Sequence, residues 1–170
     1  MSSRITTAQT IGPFPHEGWR WAFDAAQAPA GARAIVIEGR VLDGDGNPVS
    51  DALIEGWSPS AGAGSVAGLP GLRRAAAGER GEFRFVVPRP SDGLHGEPLL
   101  YVTLFARGLL KHQFSAVFLA DDPALADAPL LRQVPGERQD TLVAHPAGEG
   151  TYLWDIHLQG ERETVFLDFE

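Results

Sequence analysis

Arg107 is the charge best placed for ligand chemistry in this 170-residue chain. It stands in Phe105-Ala106-Arg107-Gly108, where an apolar run ends beside a glycine that permits a tight turn. A planar guanidinium there can hold a carboxylate through two parallel hydrogen bonds. An arginine at a strand end is ordinarily a surface or turn-capping residue, and residue type alone favours that reading. Gly12-Pro13 is the second candidate. Glycine lets backbone approach a ligand closely and proline fixes the approach, yet the same pair by default is a turn. Asp155-Ile156-His157 sets a carboxylate and an imidazole on one face of a strand, where they could chelate a metal, but no second histidine completes a triad.

Other patterns fail on the geometry they require. Asp43-Gly44-Asp45-Gly46-Asn47 resembles a calcium loop, but the sixth and twelfth positions, Gly and Glu in an EF-hand, are Pro48 and Ile54, so it reads as a hairpin turn. Gly62-Ala63-Gly64-Ser65-Val66-Ala67 has dinucleotide spacing. That motif must open a helix, which Gly68, Pro70 and Gly71 would break, so it reads as a flexible loop. The histidines, at 16, 95, 112, 145 and 157, show no zinc or facial-triad spacing. There is no G-x-S-x-G elbow. With no cysteine, disulfides, thiolate metal sites and cysteine nucleophiles are all excluded.

The elements that must position these residues read as strands. Glycine (20) and proline (13) are spread throughout, and short β-rich runs between turns predict an all-β sandwich, one domain over 1–170. Strands are expected over Ala34–Leu42, Val49–Trp57, Gly81–Val87, Leu99–Phe105, Gln113–Leu119, Thr151–Leu158 and Thr164–Phe169. Asp122-Pro123 opens a short helix to Asp127, the aspartate capping free amides and the proline fitting the first turn. Residues 1–33, with Trp19 and Trp21, read as an N-terminal arm whose tryptophans are costly to leave in water. The Ala- and Gly-rich stretch 58–80 reads as a long loop. Apolar residues at 44% make the chain globular, and a net charge of −8 argues against nucleic acid and anionic membranes as partners. No segment is long enough to span a bilayer and the N-terminus lacks a secretory core, so a cytoplasmic location is expected.

One longer pattern carries a family resemblance. It runs Ile37-x-Gly39-x-Val41, four residues, Gly46, two residues, Val49, four residues, Ile54-Glu55. This resembles the signature of the intradiol ring-cleaving dioxygenases, which open catechols with ferric iron. In that signature an apolar residue, six residues and Gly-x-Phe/Tyr follow, the tyrosine being an iron ligand. Here Gly56 and Ala63-Gly64-Ser65 stand in those places, so the match stops where the metal chemistry would begin. Within the family the chain is similar to the alpha chains of the two-chain, protocatechuate-cleaving members. The residues that carry this are Gln9 to Phe14, Ile37 to Trp57, Leu104 to Gly108, Asp121-Asp122 and the closing block Gln159-Gly160-Glu161-x-Glu163-Thr164-Val165-Phe166-x-Asp168-Phe169.

The resemblance implies a non-catalytic subunit paired with a homologous beta chain that holds Fe(III) through two Tyr and two His, the latter as His-x-His. This chain has no tyrosine before Tyr101, and the strand that would carry His-x-His reads Leu99-Leu100-Tyr101. No iron is therefore expected here, and ferric iron, which needs hard anionic oxygen donors, is expected in the partner. The resemblance also implies that Arg107, Gly12 and Pro13 help form the substrate pocket at the interface of alpha–beta pairs. Arg107 would recognise the carboxylate of 3,4-dihydroxybenzoate, which the complex would cleave with O2 to 3-carboxy-cis,cis-muconate. A second reading stays open: an inert β-sandwich binding or scaffold module descended from dioxygenases.

Overall fold

From Ala34 to Val41, buried residues alternate with half-buried or exposed ones along β1 (Ala34–Leu42), the central strand of one half of a β-sandwich, with Ile35, Ile37 and Val41 turned inward. The computed structural model describes residues 20–27, 34–59 and 71–168. Its further strands are β2 (Leu53–Trp57), β3 (Leu72–Ala76), β4 (Glu82–Pro88), β5 (Leu100–Phe105), β6 (Gln113–Leu119), β7 (Val143–Gly148), β8 (Thr151–Leu153) and β9 (Ile156–His157). The hydrogen-bonded order is β3-β2-β5-β6-β7-β8-β1-β4, with β9 also against β1. A short parallel contact, Phe118↔Val143 and Leu119↔Ala144, joins the two halves. Between them lies the main core, where Phe83, Phe85 and Val87 of β4 meet Ile54, Leu100, Val102 and Leu104. A second cluster on the far side of β6 packs Ala116 and Phe118 under Leu131, Val134 and Leu142.

The residues of the family signature have structural work to do. β1 is flanked by β4 on one edge and by β8 and then β9 on the other. The second ladder breaks at Trp154-Asp155: the Trp154 N–H still donates to Glu38 O (2.9 Å), but the Arg40 N–H is taken by the Asp155 carboxylate (2.8 Å). At the break the backbones come so close that any Cβ on residue 39 would overlap the Trp154 carbonyl, so only glycine fits. Gly46, at φ +81°, makes the turn after β1, and Val49 donates back to Val41 O. Ile54 is fully buried.

Several expected boundaries shift. The turn 43–47 forms as read, the Asp43 carboxylate accepting from the amides of Asp45 and Asn47. It does not close a hairpin, however: only Leu42↔Pro48 pairs across it, and the chain crosses to the other half, where β2 begins at Leu53 rather than Val49. The stretch 58–80 is not all loop, because Leu72–Ala76 pairs with β2 in full register. The expected strand Thr151–Leu158 is broken at Trp154-Asp155, and in the expected strand Thr164–Phe169 the described residues, 164–168, make only the bridge Phe114↔Leu167. The helix expected over 123–127 is a 3₁₀ turn at Leu125–Asp127, with Asp122 accepting from the Ala124 and Gly96 amides. β7 and the short helix α2 (Gly136–Gln139) were not anticipated. The arm contains helix α1 (Arg20–Gln27), which buries Ala22 and Ala26 against β3 and β4; Trp19 lies outside the described residues. Among the described residues no helix is long and apolar enough to cross a membrane.

Candidate functional site

The β5–β6 hairpin presents Arg107. β5 ends at Phe105, Ala106 is buried, and Gly108 turns the chain at φ +90° with nothing near a would-be Cβ. The Leu109 N–H closes the turn onto Ala106 O (3.3 Å). Arg107 is left 89% exposed, its Nε 3.2 Å from a carboxylate oxygen of Asp51. A pair so open to water is worth about 0–1 kcal/mol, so a better carboxylate can displace Asp51 at little cost. Gly12 and Pro13, the other residues expected at the site, lie outside the described residues.

The remaining charge clusters are engaged within the fold. Arg89 Nη1 donates to Asp121 (3.0 Å) and to the Tyr152 oxygen (2.6 Å), while the Tyr152 hydroxyl donates to the same Asp121 oxygen (2.8 Å). Partial burial alone would raise the Asp121 carboxyl, but the bonds from Arg89 and Tyr152 outweigh it and hold it below the usual range. The Tyr152 phenol is pushed up, by burial first and by Asp121 second. Glu55 and Arg74, direct cross-strand partners, form a tight ion pair with Arg74 Nε at 2.8 Å, and the guanidinium lies 5.7 Å from the Phe23 ring. Neither cluster was legible from spacing, since their members come from strands whose pairing the sequence does not state.

Asp155 and His157 do not form the chelating pair that their spacing suggests. Asp155 sits at the strand break with its oxygens on Arg40 at 2.8 and 3.4 Å. Burial, with Arg162 nearby, lowers the His157 pKa. Among the described residues no three His, Asp or Glu side chains converge as a metal site would need. The chain has two tyrosines, and they stand in opposite halves of the sandwich: Tyr152 is held by Arg89 and Asp121, and Tyr101 lies on the outer face of β5. The donor set does not fit a tyrosinate–histidine iron centre.

No protein-family model matches the chain. It is 35% identical to the protocatechuate 3,4-dioxygenase alpha chain of Burkholderia cepacia, across 96% of each chain. To the alpha chain of Pseudomonas putida it is 32% identical, again across 96% of each. The beta chain of the Burkholderia cepacia enzyme is 26% identical, covering 92% of this chain and 77% of that one. Among solved structures, the dioxygenase domain of a Streptomyces sp. SirexAA-E fusion protein superposes at TM-score 0.59, with 16% identity over 80% of this chain and 87% of that one. Catechol 1,2-dioxygenase of Acinetobacter sp. ADP1 superposes at 0.55, with 17% identity over 76% of this chain and 54% of that one. At such identities the structural likeness is one of fold, and the sequence likeness carries the kinship. The chain belongs to the intradiol dioxygenase family, as a homologue of the protocatechuate 3,4-dioxygenase alpha chain.

Proposed function

We propose that this chain is the non-iron-binding alpha subunit of a protocatechuate 3,4-dioxygenase, acting in the cytoplasm as one intradiol-type unit over its 170 residues. The observation that carries the reading is the match to an alpha chain across 96% of both sequences. The donor set, which does not fit iron, supports it, and so does the free reach of Arg107 at a hairpin tip. Fe(III) belongs to a homologous beta subunit, and substrate lies between the chains. Arg107 binds the carboxylate of 3,4-dihydroxybenzoate, exchanging its exposed contact with Asp51 for a bidentate one in a site shielded from water. Gly12 and Pro13 close the pocket from the arm. The complex cleaves the ring with O2 between the two hydroxylated carbons, giving 3-carboxy-cis,cis-muconate.

The test is Arg107→Ala in the assembled complex. A charge-assisted hydrogen bond is worth roughly 1.5–3 kcal/mol, so the KM for protocatechuate should rise about 10- to 150-fold. Iron content should stay unchanged, and kcat should fall less than kcat/KM. Catechol lacks the carboxylate and should be almost indifferent to the change. An equal loss for both substrates would assign Arg107 to fold or interface and remove it from recognition.

A further inference from the structure

The carboxylate that meets Arg107 is delivered by the sheet itself. β2 and β5 pair antiparallel as far as Leu53↔Phe105, and carrying that register two residues further sets Asp51 opposite Arg107. Between the ladder and this pair lie Ala52 and Ala106, both buried. Each is tied down: the Ala77 N–H donates to Ala52 O (2.8 Å), and the Leu109 N–H donates to Ala106 O. The backbones beside the pair are therefore fixed, and only the two side chains are left to move. They are unequal. Asp51 is short and its side chain is 39% exposed, whereas the long Arg107 side chain stands free on nearly every side. At their closest, Arg107 Nε lies 3.2 Å from one Asp51 oxygen. That is longer than the roughly 2.7–2.9 Å of a strong charge-assisted bond, so the contact can yield.

We propose that Asp51 is a displaceable counter-ion, holding Arg107 while the site is empty and competing for it with the carboxylate of substrate and of product. The proposal concerns the regulation of that same site and rests on the reading of Arg107 as the anchor of the substrate carboxylate. A second carboxylate that approaches a guanidinium already paired meets the first as a like charge. Substrate therefore binds against Asp51, and its affinity is lower than a free Arg107 would give.

The same competition acts after the reaction. Ring cleavage between the hydroxylated carbons leaves the original carboxylate untouched, so product is still held by Arg107 when it forms. Asp51 remains close by at the fixed start of β2 and takes the guanidinium back as product departs. One residue thus limits the affinity of the site for substrate and hastens its emptying.

The experiment measures equilibrium binding to the assembled alpha–beta complex by calorimetry, without O2 so that no turnover occurs. Asp51→Asn keeps the side chain's size and removes its charge. Its Kd for protocatechuate and for 3-carboxy-cis,cis-muconate should both fall about two- to fivefold, the range of an exposed ion pair. Catechol, with no carboxylate, should bind wild type and variant alike, which also shows that the variant's site is intact. In an Arg107→Ala background the same substitution should change nothing, because no guanidinium is left to compete for. If Arg107→Ala alone binds protocatechuate as tightly as wild type, the recognition reading fails and the proposal with it. If Arg107→Ala weakens protocatechuate selectively while Asp51→Asn leaves its Kd unchanged or raises it, Asp51 does not compete, and the proposal alone is overturned. A gain that catechol shares, or that persists without Arg107, also overturns it, by assigning the effect to overall charge.

Discussion

Asp121 gathers hydrogen bonds from Arg89 and Tyr152 onto a single oxygen, and those bonds tie the end of β4 to β8 and to the turn after β6. Because its folded pKa lies below that of an unfolded aspartate, the unfolded chain takes up the proton first. The resulting stability is complete above the unfolded value of 3.8 and is lost as pH falls through the lower folded value. Asp121→Asn should therefore cost about 1 kcal/mol near neutral pH, and the gap to wild type should be smaller in acid, below pH 3.8. Urea melts of both proteins at the two pH values measure it; a gap of the same size in acid would remove the carboxylate's charge as its source. Of the residues with candidate chemistry, Arg107 could be found in sequence because a charge between an apolar run and a glycine is conspicuous. Arg89 could not, since its partners lie 32 and 63 residues away and nothing in their spacing links them.

Gly39 shows how a whole element can depend on the absence of one side chain. Adding a methyl group would push β1 off the Trp154 carbonyl, or push Trp154 away from Thr141 O, which its indole N–H reaches at 2.9 Å. Gly39→Ala should cost about 3 kcal/mol, or roughly 6–12 °C in Tm for a domain of this size. Gly46→Ala, which needs φ +81° but meets no atom, should cost only about 1 kcal/mol. Thermal melts of the two variants compare crowding with backbone strain, and equal losses would deny the close approach. β4 was legible because its alternation, Phe83-x-Phe85, matches one buried face, and β5 and β6 because each is a short apolar run, β6 being buried on both faces. β3 was missed because Leu-Arg-Arg-Ala-Ala has no such signal; Glu55 opposite pairs with Arg74, and Arg73, though buried, donates to Leu72 O. β7, with a proline and a glycine among six residues, reads as turn and becomes a strand only because β8 and β6 lie on either side.

At the scale of the whole molecule, a sandwich that keeps the family's fold need not keep its metal. The purified chain alone, incubated with iron and desalted, should retain none in stoichiometric amount and show no visible charge-transfer band. Metal analysis and an absorption spectrum decide it; a coloured chain with one iron would refute the subunit reading outright. The signature explains why fold and metal can part: Gly39, Gly46, Val49 and Ile54 serve backbone approach, turn and core, and none of these needs iron.

The position of β1 also has a consequence in time. Its first partner, β4, leaves the ribosome soon after it, but Asp155 lies 115 residues beyond Arg40. At about 5–20 residues per second, β1 waits on the order of ten seconds for its second neighbours. Throughout that interval a growing chain exposes one bare edge of an apolar strand, the kind of edge on which nascent chains recruit one another. Slow translation of the C-terminal third, or its loss, should therefore show up first as aggregation during synthesis, before any defect in the finished protein.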